Sequence, residues 1–308
     1  MRKIILDCDP GHDDAIAIVL AYASPQIELL AITTVAGNQT LAKTTLNAQR
    51  VMTLAGIRGI PLAAGADRPL TRDPIVAGEI HGESGLDGYD FPAPRVGVEP
   101  RHAADLMIET LLRQDRVTLV PTGPLTNVAL ALRKNPAILP RIAEIVLMGG
   151  SYSLGNVTPA AEFNIYADPE AADIVFRSGV PITMVGLDLT RQARVTEDVL
   201  RRIRGVKNAV ADMAIGLMTF FSSTYKNRFG FDAPPLHDPC AVARVINPAI
   251  VRSRPTNVMV ETRGAWTYGA TVCDLYGVTG RAVNAQVATE LDVEGFWTLI
   301  LDALASYS

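Results

Sequence analysis

The chain has 308 residues, enough for two domains or one large α/β unit, and its 48% hydrophobic and 19% charged content is that of an ordinary soluble globular protein. A net charge of −4 leaves no basic footprint for nucleic acid, and no apolar stretch reaches the roughly 20 residues of a membrane span. Cys8, Cys240 and Cys273 are too few and scattered for a disulfide framework; with no charged and apolar leader ahead of the first strand, a reducing cytoplasm is the expected home.

In chain order, Ile4, Ile5 and Leu6 read as a short buried strand and Pro10-Gly11 as a turn. Asp13-Asp14 then enters an apolar helix through Ala15, Ile16, Ile18, Val19 and Leu20. Asp7, Asp9, Asp13 and Asp14 fall at the carboxyl end of that strand and on the first helical turn, where open α/β sheets bind ligands. Taken singly, Asp13 reads equally well as a helix cap and Asp9 as part of an Asp-Pro-Gly turn. Taken together, such close like charges raise one another's pKa unless something compensates. A helix N-terminus offsets part of the repulsion. A divalent cation offsets more, and an all-oxygen donor set favours Ca²⁺ or Mg²⁺ over zinc.

Further along, Glu28–Ala36 reads as a second buried strand leading into Gly37-Asn38-Gln39, 41–55 as a helix, and Pro61–Ala64 as a third strand. From Gly65 to about Arg101 no period holds, which predicts a functional loop carrying His81-Gly82-Glu83-Ser84-Gly85-Leu86. The alternation resumes with a helix over 103–112, a strand over 117–120 ending in Pro121-Thr122-Gly123, and a helix over 128–133. A strand over 144–148 then ends in Gly149-Gly150. Asn156, Glu162, Phe163 and Asn164 form a polar cluster with one aromatic inside, Asp168-Pro169-Glu170 carries a helix-capping signature, and 182–187 is the next strand. Residues 196–228 read as mostly helical, their aromatic series Phe220, Phe221, Tyr225 and Phe229 marking either one buried face or a base-stacking wall. His237-Asp238-Pro239 opens a short helix, 258–260 and 270–273 suggest late antiparallel strands, and 295–305 closes the chain as a helix. With no internal repeat and no linker, one domain spanning 1–308 is expected.

Five strand ends thus carry polar residues suited to a site. If the sheet is mostly parallel, right-handed crossovers bring those ends to one edge, where they can converge on one pocket. The run Asp7-Cys8-Asp9-Pro10-Gly11-His12-Asp13-Asp14 closely resembles the amino-terminal signature of the inosine-uridine type nucleoside hydrolases. The resemblance extends in the same order through Val35-Ala36-Gly37-Asn38, His81-Gly82 with Gly85-Leu86, Pro121 to Asn127, Met148-Gly149-Gly150, Ala161-Glu162-Phe163-Asn164 and His237-Asp238-Pro239. It covers essentially the whole chain. It implies an open, mostly parallel Rossmann-like α/β sheet flanked by helices, Ca²⁺-dependent cleavage of the N-glycosidic bond of ribonucleosides in nucleoside salvage, and a homo-oligomer, tetramer or dimer.

Carried over residue by residue, the resemblance implies that Asp9, Asp14, Asp238 and the Thr122 carbonyl hold Ca²⁺, with Asp9 also the base for the attacking water. Asp13, Asn156, Glu162, Asn164 and Asp238 match the positions that hold ribose hydroxyls, with Phe163 among them, and Asn38 and Met148 would sit near the anomeric carbon. Asp7 would support the site. Leaving-group protonation falls to His237, which titrates near physiological pH and is placed by Asp238. His81 is expected to line the pocket, and Tyr225 and Phe229 fall where relatives contact the nucleobase. His12 has no assigned role. Two other readings compete: a haloacid-dehalogenase-like Mg²⁺ phosphatase, which also opens on a strand ending in Asp-x-Asp, and a non-catalytic nucleoside or ribose binder. Against the first, no later Ser/Thr, Lys and paired-acid series is evident; against the second, every expected chemical position holds a competent residue.

Overall fold

The computed structural model describes residues 1–307, and of Phe229 only the backbone. Strand-forming runs become β1 (Arg2–Cys8), β2 (Ile27–Thr34), β3 (Leu62–Ala64), β4 (Val117–Pro121), β5 (Ile142–Met148), β6 (Ile182–Val185), β7 (Val251–Val260), β8 (Thr271–Asp274) and β9 (Ala285–Leu291). They form one nine-stranded sheet in the order β3-β2-β1-β4-β5-β6-β9-β7-β8. Pairing from β3 through β6 to β9 is parallel, and β7 runs antiparallel to both β9 and β8. The first six strands follow the doubly wound order in which the chain reverses direction between β1 and its neighbours, so a crevice opens beyond the carboxyl ends of β1 and β4.

The period-2 geometry of the strands divides the core between the two faces. Ile4, Leu6, Cys8, Val120, Val146 and Met148 join one apolar cluster with Ile16 and Leu20 of the helix His12–Ala23 and with Leu217 and Phe296. Ile5, Val117, Leu119, Ile145 and Leu147 join the other, with Met107, Val128 and Val175. Each fully buried aliphatic side chain contributes about 1.5–3 kcal/mol, and both faces are covered, which is why the central strands read as unbroken apolar runs.

Most predicted elements are present, with informative differences. The stretch 196–228 is two helices, Glu197–Arg204 and Ala209–Phe229, because Asn208 starts the second by accepting from the Ala211 amide. β9 escaped sequence reading: Ala285-Gln-Val-Ala-Thr-Glu-Leu is short and half polar, yet it joins the parallel part of the sheet to its antiparallel end. The late strand expected over 258–260 begins already at Val251. The loop from Gly65 contains one helical turn, Gly78–His81, and is pinned at its start by Asp168.

Asp168 is fully buried. It accepts from the Leu70 amide at 3.0 Å, the Thr126 hydroxyl at 2.7 Å and the Ala171 amide at 3.1 Å, tying the loop and two helices together. Asp168→Ala removes a helix cap and orphans buried donors, so urea unfolding is expected to show a loss of about 2–3 kcal/mol. A change under about 0.5 kcal/mol would contradict this assignment.

Candidate active site

β1 delivers Asp9 just past its end, and the helix His12–Ala23 carries Asp13 and Asp14 in its first turn. Asp14 folds back to accept from the Gly11 amide at 3.0 Å, so one carboxylate oxygen caps its own helix. Its two oxygens also accept from the Thr122 hydroxyl at 2.8 Å, beyond β4, and from the Asn38 side-chain amide at 3.1 Å, beyond β2. The Asn38 backbone N–H donates to Asp9 Oδ2 at 2.6 Å. Three parallel strands thus converge on one acidic cluster, as their common direction requires. Asp238, at the head of the helix Pro239–Ile246, completes it: oxygens of Asp13, Asp14 and Asp238 lie within 4.8 Å of one another.

These carboxylates are buried, and that controls their charge. Burial, reinforced by neighbouring carboxylates, pushes Asp9 and Asp238 well above the usual carboxylate range and Asp13 up to about 7. Asp7 also rises to about 7 through burial, against opposing hydrogen bonds from Asn127 at 2.8 Å and Thr33 at 2.7 Å. Asp9 Oδ1 and Asp7 Oδ2 are buried without a hydrogen-bond partner among the described residues. An orphaned carboxylate oxygen beside three more carboxylates fits a hard divalent cation, which would hold all of them ionised. Among the described residues, the carboxylates grouped closely enough to share such an ion are Asp13, Asp14 and Asp238; Asp9, expected from the sequence as a ligand, stands outside that group.

Above this cluster lies a cavity lined by Asp13, Asn38, His81, Thr122, Met148, Asn156, Glu162, Phe163, Asn164, Tyr225, His237 and Asp238, with Ile80, Phe221 and Arg228 on its wall. Asp9 and Asp14 sit behind that lining, bonded to Asn38 and Thr122. Glu162 caps the short helix Phe163–Ala167, accepting from the amides of Asn164 (2.8 Å), Ile165 (3.1 Å) and Gly150 (2.8 Å), and burial lifts its carboxyl to about 7. The Asn164 amide donates to the carbonyls of Thr122 (2.7 Å) and Met148 (3.2 Å), which leaves its oxygen for a ligand. Asn156 Oδ1 accepts from the Phe163 amide at 2.9 Å.

On the opposite wall, His237 is bracketed by Thr190 Oγ1, 2.7 Å from Nδ1, and Tyr225 Oη, 3.0 Å from Nε2. Burial, then the positive charge of Arg191, pushes the imidazole down to about 3, so His237 does not titrate near physiological pH as its residue type suggested. Burial likewise pushes the Tyr225 phenol up. His81 and His12 share a hydrogen bond at 3.0 Å between their Nδ1 atoms, and burial brings His12 down to about 4.

Apart from Phe229, the lining residues expected from the sequence meet here. The expectation for the Phe229 side chain lies outside the described residues. Sequence reasoning missed Thr190, Asn127, Thr33 and the tie between His12 and His81. Asn127 stood within a quoted motif, but nothing local marks it as a partner of Asp7, 120 positions away.

A family model described as inosine-uridine preferring nucleoside hydrolase matches residues 4–298. The pyrimidine-specific ribonucleoside hydrolase RihA of Shewanella sp. (strain ANA-3) is 50% identical over 309 residues, covering 100% of this chain and 97% of that protein. The inosine-uridine preferring nucleoside hydrolase of Crithidia fasciculata is 50% identical over 306 residues, covering 98% and 97%. The solved purine-preferring ribonucleoside hydrolase from Gardnerella vaginalis superposes with a TM-score of 0.92 at 34% identity, covering 99% of this chain and 98% of that one.

Gly37 packs so tightly that a Cβ would lie 2.1 Å from Asp9 Oδ2, whereas at Gly97 it would meet open space. Gly37→Ala should therefore lower stability by about 1–3 kcal/mol in urea titrations while Gly97→Ala stays within about 0.5 kcal/mol of the parent. Equal effects at both positions would contradict the tight seat of Asp9.

Proposed function

The chain belongs to the inosine-uridine preferring nucleoside hydrolase family, and from that premise we propose a Ca²⁺-dependent ribonucleoside hydrolase for which uridine is a preferred substrate. It is an enzyme that hydrolyses ribonucleosides, which sets the phosphatase reading aside. Uridine, a pyrimidine nucleoside, falls within what both relatives' names describe, pyrimidine-specific and inosine-uridine preferring, with cytidine and inosine as further candidates. One observation carries the reading: a floor of buried carboxylates and a wall holding a hydrogen-bonded histidine and tyrosine face each other across one cavity.

The residues divide the work as follows. Asp13, Asn156, Glu162, Asn164 and Asp238 take the ribose hydroxyls, with Asn38 and Met148 beside the anomeric carbon and Phe163 against the sugar. Asp9 takes a proton from the attacking water, whose oxygen bonds to the anomeric carbon as the N-glycosidic bond breaks and its electron pair leaves with the base. Positive charge develops on the sugar ring in such displacements, and the carboxylates around it stabilise that charge. Asp9, Asp14, Asp238 and the Thr122 carbonyl would hold Ca²⁺, one of the two ions that an all-oxygen set favours. When bound, the ion balances the carboxylate charge and raises the acidity of a nearby water.

Both imidazole nitrogens of His237 are engaged, Nδ1 by Thr190 and Nε2 by Tyr225. The departing base takes the Tyr225 hydroxyl proton while the His237 Nε2–H stays hydrogen-bonded to the phenol oxygen and steadies its charge, and solvent water returns a proton to Tyr225 once the products leave. Asp7 supports the floor through Asn127 and Thr33. We further place the protein in the cytoplasm, in nucleoside salvage, as one domain of a homo-oligomer. The exposed Trp266, Tyr276 and Val278 between β7 and β9 support association with another copy. No described helix is long and apolar enough to cross a membrane.

A panel of uridine, cytidine, inosine and adenosine, assayed for reducing sugar with Ca²⁺ present, should give the highest kcat/KM for uridine. Absence of ribose from all four would sink the reading. His237→Ala should cost about 100-fold or more on uridine and far less on p-nitrophenyl riboside, whose leaving group needs no proton. Equal losses on both substrates would remove His237 from the proton path.

A further inference from the structure

His12 has no part in the chemistry above, yet it is 2% exposed and both its ring nitrogens are engaged. Nε2 lies 2.8 Å from the backbone carbonyl of Asp87, and Nδ1 lies 3.0 Å from His81 Nδ1. The ring stacks on Phe220 with centroids 5.3 Å apart and planes 8° from parallel, and on His81 at 5.2 Å. The anchoring carbonyl is itself held still. The Asp87 carboxylate accepts from the amides of Glu83 at 2.9 Å and Ser84 at 3.2 Å, closing a turn that begins at Gly82, whose φ is +77°.

The donor and acceptor roles follow from elementary hydrogen-bond chemistry. A carbonyl oxygen only accepts, so His12 Nε2 carries a hydrogen. Neutral His12 then has its lone pair on Nδ1, and the hydrogen in the bond between the two rings belongs to His81 Nδ1. Neutral His81 so protonated has a bare Nε2. The His12 backbone N–H points at the same His81 nitrogen as a donor from 3.3 Å and competes for it, but the bond between the rings is shorter at 3.0 Å and needs the hydrogen on His81. That backbone N–H is a first-turn helix amide, a group with no intrahelical acceptor in any case.

We propose that His12, anchored on the Asp87 carbonyl, is a positioning residue that holds His81 in its Nδ1–H tautomer and so presents the Nε2 lone pair at the cavity wall as an acceptor for an N–H of the nucleobase. The proposal rests on the nucleoside reading. Uracil, cytosine and hypoxanthine all carry an N–H beyond the glycosidic nitrogen, whereas p-nitrophenolate has none. One wall then offers an acceptor through His81 and a donor through Tyr225, so that an edge carrying both kinds of group is read at two points.

The test uses intact protein labelled with ¹⁵N-histidine. Its four histidines make a long-range ¹H–¹⁵N correlation spectrum tractable, with His81 assigned by its loss in His81→Asn. His81 is expected to be protonated on Nδ1 and bare on Nε2; protonation on Nε2 or on both nitrogens overturns the proposal. His12→Phe keeps the ring stack and removes the acceptor, so His81 should move to the Nε2–H form. The ratio of kcat/KM for uridine to that for p-nitrophenyl riboside should fall about tenfold or more. His12→Asn, whose Oδ1 can replace the lost acceptor, should bring the ratio back to within about threefold of the parent. An unchanged ratio in His12→Phe overturns the positioning role. A correct tautomer in a protein that releases no ribose from uridine overturns the nucleobase as its ligand, a failure of the nucleoside reading rather than of the pairing.

Discussion

Everything in this molecule is arranged around a group of carboxylates that folding removes from water. Asp7, Asp9, Asp13, Asp14 and Asp238 are each at most 4% exposed, and burial alone would drive them to protonate. The fold answers with what a parallel sheet provides at its carboxyl edge: the Asn38 and Gly11 amides, the Thr122 hydroxyl and the first turn of a helix. These donors orient the cluster without neutralising it, since Asp9 Oδ1 and Asp7 Oδ2 still lack partners among the described residues. A site of this kind is incomplete as protein alone. Its remaining demand, for positive charge among hard oxygen donors, is one that a divalent cation would meet.

The same edge accounts for the division of labour in the cavity. Side chains borne by strand ends and first helical turns are held by several bonds each, as with Glu162 and Asn164, and suit the fixed stereochemistry of a sugar. The far wall comes from the helix Ala209–Phe229, the segment after it and the loop holding His81, where aromatic rings and imidazoles meet. Planar groups with switchable donors suit a planar base. His81 is kept in register by His12, and His237 by Thr190, so each histidine facing the cavity has a partner behind it.

How much of this was legible in the sequence depended on distance along the chain. β1 and the helix after it declared themselves, because an apolar run followed by Asp-x-Asp-Pro-Gly-x-Asp-Asp encodes strand, turn and helix start within a dozen residues. The polar strand ends at Asn38, Thr122 and Glu162 were also readable, as was their convergence, since a parallel sheet forces it. β9 was not, because its alternation is diluted by Gln286, Thr289 and Glu290 and its place is decided by β6 and β7. The supporting partners were invisible for a related reason: Asn127 with Asp7, Thr190 with His237 and His12 with His81 join residues 120, 47 and 69 positions apart. The Gly65–Arg101 stretch looked structureless because its order comes from elsewhere, from Asp168 at one end and the His12 stack further along.

The most direct test of the cation's place in the fold is calorimetric titration of the chelator-stripped protein with Ca²⁺, paired with the thermal midpoint at each Ca²⁺ concentration. One ion per chain and a midpoint that climbs with free Ca²⁺, as linkage demands of a ligand bound only by the folded state, is the predicted result. Absence of binding, with a midpoint indifferent to Ca²⁺ and to other divalent ions, would mean that the buried carboxylates are simply protonated, and the account would fail at its centre.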